Sequence, residues 1–357
     1  MRNIRRVTRI VKAGSVAIGG GALVSVQSML SKPAHDIGGN VAQALALEQA
    51  GCDIIRAAVP DMPSVQLVAA LKENCKTPIV ADIHFDYKLA LESLAAGADK
   101  IRINPGNIGG HDRVRAVADA CRLKNIPIRI GVNSGSLKKD LLAKYGAPTP
   151  EAMAESALHH ARMLEACDFH DIVISLKSSD VANTVQAYEI LAQQCDYPLH
   201  VGVTEAGTRR MGAIKSSIGI GALLLQGIGD TIRVSLTADP VEEVMAARDI
   251  LRALGQGSGP DIISCPTCGR AKIDVIAITE EIERRLASIA PQAGSRTAGA
   301  TVAIMGCAVN GPGEARQADI GLAGGEGCAL LFRKGEILRK VPEDRAIDEL
   351  MEEIEKL

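Results

Sequence analysis

The sequence predicts a (β/α)8 TIM-type barrel followed by a smaller α+β domain, and three observations lead there. Short apolar segments alternate with amphipathic helical segments eight times before residue 255, the pattern of a parallel sheet wrapped by helices. The eight units fill about 235 residues, which suits a closed barrel better than an open sheet, whose strand count is not fixed at eight. Hydrophobic residues make up 47% of the 357 residues and aromatics 2%, with no Trp. The core must therefore be built from Ala, Val, Ile and Leu, as in strands buried on both faces. No glycine-rich dinucleotide fingerprint follows the first strand, which counts against a Rossmann fold.

Residues 1–22 read as a short hairpin: Thr8-Arg-Ile-Val-Lys12, then Ser15-Val-Ala-Ile18, then glycines at 19–21. Barrel strands are predicted at 24–29, 53–58, 79–84, 100–104, 126–133, 171–177, 199–204 and 231–236. The helices that follow them are predicted at 36–50, 63–75, 86–97, 111–124, 150–166, 179–194, 210–225 and 240–254. The run Gly255-Gln-Gly-Ser-Gly-Pro260 breaks the repeat and reads as a linker, dividing the chain into domains at 1–255 and 256–357. In the second domain a cysteine turn comes first, then a helix at 274–289. Strands at 301–305, 319–322 and 328–332 and a charged helix at 344–357 complete it.

Composition removes several function classes. A net charge of −2 exerts no global pull on nucleic acid or an anionic membrane, and scarce aromatics leave no base-stacking surface. No apolar run is long enough to span a bilayer. The basic start, Met1-Arg-Asn-Ile-Arg-Arg-Val-Thr-Arg9, lacks the apolar core of a signal peptide, so a cytoplasmic location is expected. Of the nine cysteines, Cys52, Cys75, Cys121, Cys167 and Cys195 read as reduced core thiols, and Cys328 as part of a strand core.

The barrel interior carries the first functional signal. Residues i and i+2 of a strand share a face, and in a barrel the outward face meets the helices. Ile101 and Ile103 facing outward leave Arg102 and Asn104 for the axis; the same alternation turns Asp82 with His84, Arg129 with Asn133, and Arg233 with Ser235 inward. Arg56, Lys177 and Glu205 fall at or just past strand ends. All lie toward the carboxyl ends of their strands, where barrel enzymes place their sites. Arg56, Arg102, Arg129, Lys177 and Arg233 face only Asp82 and Glu205, five positive charges against two negative. Buried charges without partners are costly, so a bound polyanion is expected, and arginine forks match phosphate oxygens. The loop Pro105-Gly-Asn-Ile-Gly-Gly110 precedes a helix and is a candidate phosphate cradle. Asp82 and Glu205 are the candidate acid/base groups. His84 is either a donor to phosphate or a satisfied core histidine, and the remaining histidines, including His159 and His160, read as surface residues.

The second signal is Cys265-Pro-Thr-Cys268 with Cys307 and Glu314 in Met305-Gly-Cys-Ala-Val-Asn-Gly-Pro-Gly-Glu314. A Cys-x-x-Cys pair alone suits structural zinc, but a lone third Cys with no nearby His weakens that reading. Three thiolates plus an exchangeable carboxylate suit a 4Fe–4S cluster, one per chain, whose fourth iron can be freed for substrate.

Taken together, these residues resemble those of the bacterial 4-hydroxy-3-methylbut-2-enyl diphosphate synthases, an enzyme family of the methylerythritol-phosphate pathway. The resemblance covers nearly the whole chain. It rests on Val26-Gln-Ser-Met29, Val80-Ala-Asp-Ile-His-Phe-Asp86, Ile101-Arg-Ile-Asn-Pro-Gly-Asn-Ile-Gly109, Gly131-Val-Asn-Ser-Gly-Ser-Leu137, Gly202-Val-Thr-Glu-Ala-Gly207 and the 305–314 motif. The large extra domain of plant-type members is expected to be absent, since the eighth unit runs straight to Gly255.

The resemblance implies reductive ring opening and dehydroxylation of 2-C-methyl-D-erythritol 2,4-cyclodiphosphate, with two electrons from flavodoxin or ferredoxin and loss of water. It implies that Cys265, Cys268 and Cys307 hold three irons of a 4Fe–4S cluster and Glu314 the fourth. Arg56, Arg102, Arg129, Lys177, Arg233 and Ser235 would bind the diphosphate, helped by His84 and Asn133, with Glu205 as acid/base near the reacting hydroxyl. It also implies a homodimer in which one subunit's cluster domain caps its partner's barrel. Two rival readings use the same residues: a zinc-stabilised barrel hydrolase or lyase acting on a sugar phosphate, and a non-catalytic binding protein with a metal-stapled interaction domain.

Overall fold

The structure, a computed structural model, describes residues 5–137, 139–257, 259–288, 299–308, 313 and 315–357. It divides into two compact units, Met1–Ile250 and Leu251–Leu357.

The first unit opens with an antiparallel hairpin of β1 (Ile10–Ala13) and β2 (Val16–Gly19). Eight parallel strands follow: β3 (Ser25–Met29), β4 (Ile54–Ala58), β5 (Ile79–Asp82), β6 (Lys100–Ile103), β7 (Ile128–Asn133), β8 (Ile172–Lys177), β9 (His200–Val201) and β10 (Thr231–Ile232). They form one sheet in the order β8-β7-β6-β5-β4-β3-β10-β9. A parallel bridge from Ile174 to Leu199 joins β8 to the segment entering β9, bringing the two ends together as a near-closed barrel.

The helices around it are α1 (Ile37–Gln49), α2 (Val65–Asn74), α3 (Tyr87–Ala95), α4 (Pro105–Ile108), α5 (His111–Lys124), α6 (Lys139–Tyr145), α7 (Pro150–Glu165), α8 (Val181–Gln194), α9 (Arg209–Leu225) and α10 (Pro240–Ala253). Their starts follow local chemistry. Asp36, Thr149 and Asp180 cap α1, α7 and α8 by accepting from Gly39, Ala152 and Asn183 N–H groups, each satisfying a donor that the first turn leaves without a partner.

The hairpin closes the amino-terminal end of the barrel. Val11, Ala13 and Ile18 pack on Ile54, Val80 and Val173 in one buried cluster. Ile54 and Val80 stand two residues before Arg56 and Asp82, so they share the inward face one layer below them.

The strands at the end of the barrel are shorter than the sequence suggests. Segments 199–204 and 231–236 form strands of only two residues each, although Arg233 N–H still donates to Val201 O at 3.1 Å. Ser235 consequently sits in a loop rather than on its strand, while Glu205 lies past its strand's end, where the sequence places it. Segment 105–108, read as loop, and segment 139–145, assigned to no element, form the short helices α4 and α6.

In the second unit β11 (Asp261–Ser264), β12 (Thr301–Met305), β13 (Ile320–Gly325), β14 (Cys328–Arg333) and β15 (Glu336–Pro342) form a mixed five-stranded sheet in sequence order. Helices α11 (Val275–Ser288) and α12 (Ala346–Glu355) contribute Val275, Ile278, Ile282, Leu350 and Ile354 to one core cluster with Val302, Ile304, Leu322 and Leu331. Strands β11 and β15 were not predicted. The first was hidden in the linker and cysteine turn, and the second, Glu336-Ile-Leu-Arg-Lys-Val-Pro342, is a largely exposed edge with only Val341 buried.

Candidate active site

The inward side chains build the site strand by strand. Asp82, the last residue of β5, is 2% exposed and lies among cations. Its Oδ1 accepts from Arg102 Nη1 at 2.9 Å, while Arg56 Nε and His84 Nε2 each lie 3.6 Å from Oδ2. Burial pushes the Asp82 carboxyl up, but Arg56, Arg102, His84 and Arg129 together win and hold it below the ordinary carboxylate range. Asp82 therefore stays ionised and organises arginines, a role that leaves it poorly suited to give up a proton near neutrality. Its neighbour Arg102 fits because β7 has a glycine beside it: a Cβ on Gly131 would stand 2.8 Å from Arg102 Nε.

Arg56 and Arg233 converge on Met29. Arg56 Nε and Nη2 donate to Met29 Sδ at 3.1 and 2.7 Å, and Arg233 Nη1 lies 3.9 Å from the same sulfur. Arg233 is also paired with Glu243, a 4% exposed residue in the first turn of α10, at 3.2 Å. Glu243 was not among the expected site residues. It lies on a helix outside the strand alternation, and the only signal for it was its place one turn after Pro240. It corrects the charge count, because Arg233 does have a carboxylate of its own.

The expected surplus of cations persists because another residue had also been missed. Lys100, at the start of β6, is completely buried. It shares Arg102's face by simple i, i+2 parity, but was read only as the start of its strand. The interior thus carries Arg56, Lys100, Arg102, Arg129, Lys177 and Arg233 against the buried carboxylates Asp82 and Glu243. Arg129 Nε and Nη1, Lys177 Nζ and Lys100 Nζ have no hydrogen-bond partner among the described residues. Burial pushes Arg129 and Lys177 well below their ordinary values, with neighbouring cations adding to the effect. Such a set can take up an anion that brings the missing charge.

Other expectations are corrected by position. His84 is exposed, beyond the end of β5, so it stands at the mouth and is no core residue. His200 and His160 were expected at the surface, yet are 1% and 2% exposed. His200 begins β9 and turns into the barrel, where burial and then Arg129 and Lys177 keep it well below its ordinary value. Asn104 leaves the barrel axis to cap α4, its Oδ1 accepting from Gly106 N–H at 3.1 Å. With Asn107 N–H bonded to Asn104 O, the 105–110 loop offers fewer free donors than expected of a phosphate cradle. Asn133 ends β7, exposed at the mouth, and Ser235 is half-buried in the loop after β10. Glu205 is exposed, with φ +50 in the left-handed region, a conformation that costs a non-glycine residue free energy and tends to occur where function demands it.

In the second unit Cys265 directly follows β11, and Cys307 lies two residues past β12. These strands pair in parallel, Ser264 opposite Ile304, so both thiols stand at the same edge of the sheet. Gly306 N–H donates to Cys265 Sγ at 3.2 Å, and Thr267, with φ +47, turns the chain between Cys265 and Cys268. The Cys268 thiol is lowered by N–H and side-chain donation from Arg270. Among the described residues no three His, Cys, Asp or Glu side chains converge on a single-ion position. Glu314, the fourth expected ligand, lies outside the described residues. The soft thiols on neighbouring strand ends, with an N–H already aimed at sulfur, fit a sulfide-containing cluster. Cys328 is buried in β14, and Cys52, Cys75, Cys121 and Cys167 are buried in the first unit, while Cys195 is half-buried.

Comparison with known proteins decides the family. Residues 8–248 match the GcpE TIM-barrel domain and residues 261–356 the GcpE protein C-terminal domain. The chain belongs to the GcpE family. Relatives in that family include the 4-hydroxy-3-methylbut-2-en-1-yl diphosphate synthase (flavodoxin) of Geobacillus thermodenitrificans, 55% identical over 354 residues, covering 99% of this chain and 93% of the relative. The enzyme of the same name from Clostridium perfringens is 54% identical, with 99% of each chain covered. Among solved structures, a type I 3-dehydroquinate dehydratase from Clostridium difficile covers 70% of this chain and 98% of its own, with a TM-score of 0.52 at 14% identity. That likeness concerns the barrel fold alone. No described helix is long and apolar enough to cross a membrane.

Proposed function

We propose that this GcpE-family chain converts 2-C-methyl-D-erythritol 2,4-cyclodiphosphate to 4-hydroxy-3-methylbut-2-enyl diphosphate. The reaction opens the cyclic diphosphate, takes up two electrons and a proton, and releases water. It is an oxidoreductase step in isoprenoid precursor synthesis, with flavodoxin as donor. Within the molecule, the observation that carries the reading is the pair Arg129 and Lys177, at most 5% exposed, whose Nε and Nη1 and whose Nζ lack hydrogen-bond partners among the described residues. A bound diphosphate gives them acceptors and balances their charge.

The residues divide the work by position. Arg56, Arg102 and Arg233 are held by Asp82, Met29 and Glu243 before substrate arrives. The diphosphate therefore meets a preformed cradle, and little ordering remains to be done on binding. Arg129 and Lys177 are the more fully buried and desolvated, so they interact with phosphate oxygens in a low dielectric. His84, Asn133 and Ser235 complete the rim with further hydrogen-bond donors. Glu205 donates the proton that lets the departing hydroxyl leave as water.

Cys265, Cys268 and Cys307, with Glu314, fit one 4Fe–4S cluster per chain. When bound, such a cluster delivers electrons singly and offers a Lewis-acidic iron to oxygen. On this reading residues 1–255 hold the diphosphate and residues 256–357 hold the cluster. Homodimeric assembly rests on the family resemblance alone, and the cytoplasmic location on the expectation drawn from the sequence.

The deciding experiment is an anaerobic assay of cluster-loaded protein with a reduced low-potential dye and the cyclodiphosphate. Formation of 4-hydroxy-3-methylbut-2-enyl diphosphate is expected. Protein with full iron and sulfide content that leaves the cyclodiphosphate unchanged would end the proposal.

A further inference from the structure

Below the mouth arginines lies a layer that the proposed reaction does not use. Lys100 of β6 is 0% exposed and His200 of β9 is 1% exposed, and neither has a hydrogen-bond partner on its side-chain nitrogens among the described residues. The layer is closed underneath by the hairpin cluster of Val11, Ala13, Ile18, Ile54, Val80 and Val173. Val80, in that cluster, is the register partner of Lys100 on β5. The amine thus has apolar packing on its floor side and cations above it. The charged or titratable groups on the surrounding strands are Arg56 on β4, Asp82 on β5, Arg102 on β6 itself, Arg129 on β7, Lys177 on β8 and His200 on β9. Asp82 is the one carboxylate among them, and it is already shared between Arg102 and Arg56.

We propose that Lys100 is a positioning residue for the substrate, acting through Arg129 and Arg56, and that its amine takes up a proton as the diphosphate enters. The inference rests on the reading of the mouth as a diphosphate site. A fully buried amine beside arginines and without a partner is disfavoured in its charged form. Burial, then the fields of Arg129 and Arg56, bring it down to about 7. An incoming dianion reverses the local field and makes the ammonium form favourable. Once charged, Lys100 supports the anion from below and relieves it of part of its repulsion with Asp82. A cyclic diphosphate carries only strongly acidic P–O–H groups, so its own charge is constant around neutrality. A proton taken up on binding must then come to the protein.

The test is calorimetric titration of anaerobic, cluster-loaded protein with 2-C-methyl-D-erythritol 2,4-cyclodiphosphate near pH 7.5, in two buffers of different ionisation heat. The difference between the buffers counts the protons taken up. Wild-type protein is expected to take up roughly half a proton or more. Lys100→Met should lose most of that uptake and bind about tenfold more weakly. Lys100→Arg, permanently charged, should recover affinity without recovering uptake, which a purely structural role would not produce. Unchanged uptake in Lys100→Met would overturn the proposal. Should neither variant fold, a wild-type affinity that stays constant from about pH 6 to 9 would overturn it too. Absence of any binding heat in wild type would instead remove the diphosphate site itself, and this inference with it.

Discussion

Glu243 grips Arg233 with both carboxylate oxygens, accepting from Nε and Nη2 at 3.2 to 3.4 Å. The same carboxylate accepts from Ser28 Oγ and from Leu236 N–H, each at 3.0 Å. One buried acid from a helix therefore ties the loop after β10 to the wall of the site. Glu243→Gln keeps the size but removes the charge. It is expected to raise KM for the cyclodiphosphate about tenfold and lower stability by about 1–3 kcal/mol. Steady-state kinetics and a melting curve check both, and unchanged KM would show that Arg233 needs no such holder.

Gly131 leaves the room that Arg102 occupies. In Gly131→Ala the methyl would stand 2.8 Å from Arg102 Nε, so the guanidinium must shift away from Asp82. Binding is expected to weaken about tenfold or more, on the scale of losing a hydrogen bond to a charged group. A titration with the cyclodiphosphate measures this directly, and wild-type affinity in the variant would count against Arg102 as a diphosphate ligand.

Lys100 also gives the fold a pH dependence. Its folded value of about 7 lies below the ordinary 10.5, so the unfolded chain binds more protons between the two. Stability from this group therefore rises with pH through that window and is fully penalised below it. Lys100→Met should remove the penalty, making the variant more stable than wild type near pH 7 by an amount on the order of a few kcal/mol. The two should converge as pH approaches about 10. Melting temperatures across that range provide the measurement.

Chemistry and binding should separate at Glu205 and Cys307. Glu205→Gln is expected to bind the cyclodiphosphate with little change yet lose about a hundredfold or more in kcat, the usual worth of a general acid. Cys307→Ser should abolish the visible cluster absorption while leaving the barrel's substrate affinity in place. A normal spectrum in Cys307→Ser would strike that residue from the ligand set.

The barrel was legible because its signal is periodic: strand and helix alternate eight times, and the inward face can be counted off in steps of two. The same counting found Asp82, Arg102, Arg129 and Arg233. It stopped too early at Lys100, which shares the parity of Arg102 but stands at the strand's start, where a lysine reads as a solvated end. Glu243 and His200 were missed for different reasons. Glu243 reaches the site from a helix, and no strand pattern marks it. The two-residue strand beginning at His200 is too short to show a period. Asn104 obeyed the parity rule in sequence but is captured by the local geometry before Pro105, where an Asx cap on α4 competes successfully with the strand. Strand β15 alternates too weakly to announce itself, because it lies at an edge and buries little.

The hairpin residues Val11, Ala13 and Ile18 plug the amino-terminal end of the barrel against Ile54, Val80 and Val173. Substrate and product then share the mouth at the carboxyl ends of the strands. On the proposed reading the product keeps its diphosphate and so its hold on the same arginines, and it has to vacate before another substrate enters. Inhibition by product should accordingly be competitive with the cyclodiphosphate at every concentration, and the rate of that departure sets a ceiling on turnover however fast electrons arrive.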